Sequence, residues 1–256
     1  MKAAIIQARM GSTRFPEKIF ADLAGKPLIW HVVDRLKYCI LIDKMLIATT
    51  TDQNDNRLAE WAEKESLLIY RGSEDDVLNR YFMAAKSIRL TENDIIIRIT
   101  ADDPFKEPSL IDKVIEVVEN GEADFACNNN PPTFPEGLDC EVFTMSVLET
   151  AEKQSTDLYE REHVTQYMYR HPEQFKSKNI AQKDDLSYLR FTIDTPTDYQ
   201  MVQTVYNHLY KDDKIFVLND ILELFKKHPE IQVMNSNEPR SAMYKNTCRK
   251  NQHGKN

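Results

Sequence analysis

Short apolar runs and longer stretches of helical period alternate through the first half of the chain. Residues 3–6 are an uninterrupted apolar run, and residues 45–49, 67–70 and 94–100 are further strand-like segments, the last rich in isoleucine. Runs that are apolar throughout, without strict alternation, indicate strands covered on both faces, as in a parallel sheet. Between them, Leu28, Ile29, Val32, Val33 and Leu36 recur at three- and four-residue spacing and mark one face of a helix. Leu58, Trp61 and Ala62 mark a second helix, and Val77, Leu78, Tyr81, Phe82, Ala85 and Ile88 a third. Ser73 followed by Asp76 is a capping pair for that third helix. Leu110, Ile111, Val114, Ile115 and Val118 predict a helix over 109–119, followed by a strand at 125–127. This βαβα order predicts an α/β fold: a Rossmann-like, mostly parallel sheet with helices on both faces.

The pattern changes after Cys127. Asn128-Asn129-Asn130-Pro131-Pro132 reads as a loop and residues 139–143 as an alternating strand. Helical stretches follow near 146–153 and 159–170, a returning strand at 189–193, and a helix over 196–209 with Pro196 in its first turn, where proline is tolerated. Residues 128–188 are expected to form a small subdomain inserted before the last core strand. The main domain then covers 1–234, and the polar, aperiodic residues 235–256 are expected to be a mobile tail.

The chain's 256 residues suffice for one such domain with an insertion. A formal net charge of −8 argues against a general nucleic-acid binder, which would be basic. Cys39, Cys127, Cys140 and Cys248 are scattered, without a C-x-x-C pair, and suggest reduced thiols in a cytoplasmic protein rather than a disulfide frame or zinc site. Arg9 and Arg14 interrupt any signal-like apolar stretch, and no run approaches the roughly 18 apolar residues of a membrane helix.

The candidate chemistry begins at the end of the first strand, with Gln7-Ala8-Arg9-Met10-Gly11-Ser12-Thr13-Arg14-Phe15-Pro16-Glu17-Lys18. A loop leaving the carboxyl end of a parallel strand is where open α/β sheets bind ligands. Amides around Gly11 and the charges of Arg9, Arg14 and Lys18 suit a polyphosphate. The loop is neither a Walker loop nor G-x-G-x-x-G. Thr100-Ala101-Asp102-Asp103-Pro104 directly follows the isoleucine-rich strand, and Asp194 ends the apolar segment before Pro196. Carboxylates at neighbouring strand ends, facing a cationic loop, make a natural Mg²⁺–polyphosphate site, because Mg²⁺ takes one or two carboxylates plus phosphate oxygens and water. The competing reading is local: an Asp before Pro caps a turn, and Asp194 caps the helix after it.

These motifs together resemble the sugar-acid cytidylyltransferases, the acylneuraminate and 3-deoxy-manno-octulosonate enzymes, and most closely the spore-coat polysaccharide biosynthesis branch. The resemblance is carried by the opening loop through Arg14, Lys18, Gly25-Lys26-Pro27-Leu28, Arg71-Gly72-Ser73-Glu74-Asp75-Asp76, Ala101-Asp102-Asp103-Pro104, Gly137-Leu138-Asp139-Cys140-Glu141, Arg161-Glu162-His163 and Asp194-Thr195-Pro196. It implies a nucleotide-diphospho-sugar transferase type of fold and CMP transfer from CTP to an anionic acceptor, with pyrophosphate released. Arg9 and Lys18 would hold phosphates, and Asp102 and Asp194 would bind Mg²⁺. Ala8, Gly11, Ser12, Arg14 and Thr50 would complete the nucleotide site. A homodimer, with 128–188 as the arm, is the expected assembly. Thr100-Ala101 stands where octulosonate enzymes commonly carry Gln-Gly, and Asp103 where they carry Glu, so the acceptor stays open, as does the base.

Four further residues have two readings each. Arg71 contacts the acceptor or closes its strand; Glu141 is a pocket carboxylate or a solvated face. His163, without a zinc-spaced partner, touches the acceptor or lies on a helix surface or dimer contact. Arg190 binds an anionic acceptor or neutralises a carboxylate. The rival functions are a nucleotide-sugar glycosyltransferase, which would release no pyrophosphate, and a nucleotide-binding regulator without turnover.

Overall fold

The computed structural model describes residues 1–241, 244 and 245. Its frame is a seven-stranded sheet. In chain order the strands and helices of the first half are β1 (Lys2–Gln7), the two-residue ribbon strands β2 (Asp22–Leu23) and β3 (Lys26–Pro27), α1 (Leu28–Leu36), β4 (Lys44–Thr50), α2 (Asn56–Lys64), β5 (Leu68–Gly72), α3 (Val77–Ser87), β6 (Ile95–Thr100), α4 (Pro108–Glu119) and β7 (Phe125–Cys127). The second half adds β8 (Glu141–Thr144), α5 (Met145–Gln154), α6 (Leu158–Glu162), α7 (Gln166–Arg170), β9 (Ser177–Asn179), α8 (Pro196–Leu209), α9 (Leu218–Lys227) and α10 (Pro229–Gln232).

Strand order is β5-β4-β1-β6-β8-β7-β9. Every pairing is parallel except the two made by β8, which runs against both β6 and β7. The side-chain alternation of a strand then divides the core in two. Ala4, Ile6, Ile47, Ile97 and Ile99 point to the face covered by α1, α2, α4, α8 and α9. Ala3, Ile5, Leu46, Ala48 and Ile96 point to the face covered by α3, α5 and α7. The expected sheet with helices on both faces is therefore the observed one. Among the described residues no helix is long and apolar enough to cross a membrane.

The second half differs from the sequence reading in three respects. First, β8 and β9 pair into the main sheet, so two strands of the segment expected as an inserted subdomain are part of the central frame. The helical stretch at 159–170 is also broken, into α6 and α7, by Val164 at φ 49°. Second, residues 189–193 do not join the sheet. They form an extended strip with one bridge, Arg190 to Glu136. Its backbone bonds run to loops: Phe191 N donates to Glu136 O at 2.7 Å and Ile193 N to Asp102 O at 3.0 Å. Alternating apolar positions specify extension and burial, but not a strand partner. Third, the first part of the expected mobile tail is anchored. Asn235 is 3% exposed, and Arg240 donates to the carbonyls of Ser187, Tyr188 and Leu189. Residues 242, 243 and 246–256 of that tail, with Cys248, lie outside the described residues.

The strip is seated by a close approach at Gly137. This residue has φ +102°, and a Cβ there would stand 2.6 Å from the Thr192 nitrogen and 2.8 Å from the Phe191 carbonyl carbon. Backbone atoms cannot yield as a flexible side chain can, and the left-handed conformation adds strain for any L side chain. Gly137→Ala is therefore expected to destabilise the fold by about 2 kcal/mol or more, since strained φ alone costs about 1–3 kcal/mol. Urea unfolding measures this; a change under about 0.5 kcal/mol, the scale of an ordinary surface substitution, would show that the strip can shift freely.

Candidate active site

The carboxyl ends of β1 and β6 open into a cleft of about 290 Å³ lined by Gln7, Ala8, Arg9, residues 11–14, Lys18, Ile19, residues 100–102 and Asp194. The loop after β1 is held open by a residue the sequence reading did not single out. Asp55 is buried, and its Oδ1 accepts from Met10 N at 2.7 Å. Its Oδ2 accepts from Thr50 N at 3.2 Å and from the Thr50 hydroxyl. A carboxylate receiving several N–H and O–H donors is a rigid clamp; here it ties the β1 loop to the end of β4. Beyond this clamp, the backbone N–H groups of Gly11, Thr13 and Arg14 make no hydrogen bond among the described residues. They remain as donors beside two arginines and a lysine.

Lys18 begins a single 3₁₀ turn (Lys18–Phe20). Its Nζ donates to Asp102 Oδ2 at 2.8 Å, to Asp194 Oδ1 at 2.9 Å and to the Ile193 carbonyl at 2.7 Å. Asp194 also meets Arg14 Nη2 at 3.3 Å and Arg190 Nη2 at 3.0 Å through Oδ2. Burial alone would lower the Lys18 ammonium, but Asp102 and Asp194 outweigh it and hold it above its ordinary value. Burial alone would raise Asp194; Lys18 first, then Arg14 and Arg190, hold it below the usual carboxylate range. The pair Asp102 and Asp194, separated by more than a third of the chain, is thus brought onto one cation.

The other predicted site residues divide between this cleft and places outside it. Ala8, Arg9, Gly11, Ser12 and Arg14 line the same cleft. Thr50 does not: it is buried, with its hydroxyl committed to Asp55. Arg71 spans the loop after β4, donating to the Thr50 and Asp52 carbonyls and to Asn56 Oδ1 at 2.8–2.9 Å. The strand-closing reading of Arg71 therefore replaces the acceptor-binding one. Glu141 is neither a solvated face nor an open pocket group. It is buried, ion-paired to Arg98 at 2.5 Å, and accepts from Thr165 and Tyr169 hydroxyls. Arg190 is likewise buried among Glu136, Asp194 and Asp198, so its guanidinium is engaged with carboxylates of the chain itself.

His163 lines a second cleft of about 500 Å³, together with Glu74, Asp75, Asp76, Val77, Arg80, Leu158, Arg161 and Glu162. Burial lowers its imidazole below the ordinary value, favouring the neutral ring. Arg161 pairs with Asp76 and Glu152, each at 2.8 Å. Gln7 and Arg9 line both clefts and mark their junction. The Gln7 Oε1 is buried without a hydrogen-bond partner among the described residues, and Arg9 reaches Glu74 across the junction at 3.0 Å.

Behind Asp102 lies a charged cluster. Lys106, 1% exposed, donates to Asp103 Oδ2 at 2.8 Å and to the Asp139 carbonyl at 2.6 Å. Asp139 accepts from the Tyr244 hydroxyl, and burial pushes its carboxyl up to about 7. In the unfolded chain the same group titrates near 3.8. Between those values the unfolded state has released a proton that the folded state still holds, so this group's contribution to stability falls as pH rises. Asp139→Asn is expected to flatten the stability profile between about pH 4 and about pH 7. Urea titrations at intervals across that window test this, and identical slopes for the two proteins would contradict it.

Comparison with known proteins identifies the family. Residues 3–239 match the cytidylyltransferase family. The chain is 35% identical over 236 residues to an uncharacterized protein of Methanocaldococcus jannaschii, covering 91% of this chain and 93% of that one. It is 29% identical to the spore coat polysaccharide biosynthesis protein SpsF of Bacillus subtilis, over 88% of this chain and 94% of SpsF. A 3-deoxy-manno-octulosonate cytidylyltransferase of Anaeromyxobacter is 37% identical over 120 residues, about 46% of this chain and 47% of that enzyme. Among solved structures, a cytidylyltransferase from Leptospira borgpetersenii superposes with a TM-score of 0.84 at 32% identity, covering 94% of this chain and 98% of that one. A CMP:2-keto-3-deoxy-manno-octonic acid synthetase complexed with CTP shares the fold, with a TM-score of 0.61 at 16% identity over 81% of this chain and 98% of that one. The chain, with Asp102 and Asp194 bridged by Lys18, belongs to the cytidylyltransferase family.

Proposed function

We propose that the protein transfers CMP from CTP to a sugar acid or related anionic acceptor, with Mg²⁺ as cofactor, in surface-polysaccharide biosynthesis. The observation that carries this reading is the convergence of Asp102 and Asp194 on a single cation, the Lys18 ammonium, beside a loop of free amides and arginines. Two carboxylates that already share a cation are suitable oxygen donors for Mg²⁺, which completes its shell with phosphate oxygens and water. Among the described residues no larger group of His, Cys, Asp or Glu is arranged to hold a metal. The likeness to a 3-deoxy-manno-octulosonate cytidylyltransferase supports a sugar acid as acceptor, and the likeness to SpsF supports a place in polysaccharide biosynthesis.

In this reading the Gly11, Thr13 and Arg14 amides and the Arg9, Arg14 and Lys18 cations take up the triphosphate, and Asp102 and Asp194 hold Mg²⁺. The metal supplies neutralisation of phosphate charge. The second cleft takes the acceptor. Its mixture of Arg80, Arg161 and acidic side chains suits a polyhydroxylated acid better than a bare anion, and Gln7 Oε1 offers an acceptor to a ligand hydroxyl. The acceptor oxygen attacks the α-phosphorus. The new O–P bond forms, the bond from the α-phosphorus to the bridging oxygen breaks, pyrophosphate leaves, and the proton of the attacking hydroxyl passes to solvent. The chain's own part is positioning and charge stabilisation, as in phosphoryl transfer generally.

Pyrophosphate release, measured for the four NTPs against a panel of sialic, octulosonic and smaller anionic acceptors, tests the proposal. CTP with a sugar acid is the expected productive pair; no release with any pair would overturn it. With that pair, Asp102→Asn and Asp194→Asn are each expected to lose nearly all turnover while unfolding as wild type does, since a metal ligand supplies several kcal/mol of charge stabilisation. Normal Mg²⁺-dependent turnover in either variant removes that residue from the metal site. Arg9→Ala is expected to reduce kcat by about 10²- to 10³-fold, the usual cost of losing a preorganised donor at the reacting phosphate. Arg14→Ala is expected to cost less, and equal losses at saturating CTP would count against the assignment.

A further inference from the structure

Among the described residues no strand pairs with the strip that carries Asp194, and its position depends on buried charge. Arg190, 3% exposed, faces three carboxylates. Its Nη2 donates to Asp194 Oδ2 at 3.0 Å, its Nε and Nη2 donate to the two oxygens of Asp198 at 2.8 and 3.0 Å, and its Nη1 lies 3.2 Å from Glu136 Oε2. One guanidinium cannot balance three acids. The second charge comes from beyond the last helix: Arg240 Nε donates to Glu136 Oε2, while Ser241 N donates to Glu136 Oε1 at 2.9 Å. Asn235, also buried, donates through one amide nitrogen to the Arg190 carbonyl at 3.0 Å and to Asp198 Oδ1 at 2.9 Å. Asp198 in turn accepts from the Asp194 and Thr195 amides at 3.0 and 3.1 Å. On the open side, Asp194 is met by Lys18 and Arg14.

We infer that Asn235 and Arg240, in the segment after α10, are positioning residues that hold Asp194 in its ligand-binding geometry through Arg190. With Arg240 in place, Glu136 is neutralised from the outer side, and the Arg190 Nη2 is left to bridge Asp194 and Asp198. Without Arg240, a buried carboxylate loses its outer partner and competes for Arg190, drawing the guanidinium away from Asp194. Without Asn235, Asp198 and the Arg190 carbonyl each lose a donor in a dry site, which loosens the turn that begins α8. Partners of ligating carboxylates tune a metal site in this indirect way. The inference rests on the proposed reading of Asp194 as a metal ligand.

The test uses the full chain with Arg240→Ala, Asn235→Ala and Arg240→Lys, and two readouts that need no acceptor. Hydrogen exchange reports position directly. The Asp194 and Thr195 amides are expected to exchange about tenfold faster or more in the Ala variants, as expected of local opening, with β1 unchanged. Mn²⁺ binding in the presence of CTP, followed by electron paramagnetic resonance, reports the consequence. The Ala variants are expected to weaken it by about 10- to 100-fold, the cost typical of outer-shell partners, and Arg240→Lys to recover part of the loss because it keeps the charge on Glu136. Ala variants that bind Mn²⁺ and CTP as tightly as wild type would overturn the inference. So would faster exchange spread equally over β1, which would mean general destabilisation. Wild-type binding no stronger than that of Asp194→Asn would instead defeat the metal reading of Asp194, and the inference with it.

Discussion

Two carboxylates brought to within hydrogen-bond reach of one point repel each other unless a cation stands between them, and the placement of Asp102 and Asp194 is governed by that constraint. The chain meets it with Lys18 on the open side and Arg190 behind. Each cation is costly to bury alone, and each is stabilised by the carboxylates it separates. The arrangement keeps both aspartates paired to cations at the edge of the cleft. It also explains why so much of the surrounding polar network is closed on itself: any unpaired charge in this region would disturb the balance at the pair.

The sheet supplies the geometry within which this balance operates. β1 and β6 are direct parallel neighbours, so the Arg9–Lys18 loop and Asp102 leave the sheet at the same edge. The third element, the Asp194 strip, is added from outside the sheet by backbone contacts to residues 102 and 136. Two neighbouring clefts result, one walled by the β1 loop, Asp102 and Asp194, the other by α3 and α6, with Gln7 and Arg9 between them. A reaction that joins two substrates needs two adjoining compartments with a shared wall, and the cytidylyltransferase family to which the chain belongs carries out such a reaction.

Much of this was legible in the sequence because it is written in apolar periodicity. The runs at β1, β4 and β6 are buried on both faces, so they stand out, and the residues just after them mark the site. Asp102, Asp194 and the opening loop were found in that way. The features that escaped are polar and buried. Asp55 looks like any acidic residue near a helix start, and only its three donors reveal a clamp. Glu141 sits at an alternating polar position that reads equally as a pocket group or a solvated face, whereas Arg190 was legible as the partner of a carboxylate but not as the partner of three. Asn235 and Arg240 lie in a stretch whose composition suggested mobility, because side-chain hydrogen bonds to distant carbonyls leave no periodic trace. The antiparallel entry of β8 was hidden for a similar reason: strand direction depends on where the connection returns, not on the four residues of the strand.

The reversed strand has a consequence for the order in which the molecule is completed. The parallel half, β5-β4-β1-β6, is fully encoded by residue 100, but it leaves β6 as an open edge. That edge is covered only when β8 arrives, and β8 lies beyond β7, which it must join on its other side. An exposed edge of isoleucine-rich strand is a template for pairing with other chains. During synthesis, then, the most hydrophobic strand of the sheet waits for some forty residues to emerge before it is capped, and the aspartate pair is assembled later still, when the Asp194 strip follows. The half-made protein contains the cationic loop and one aspartate, and it acquires a working centre only as its last quarter closes over the sheet.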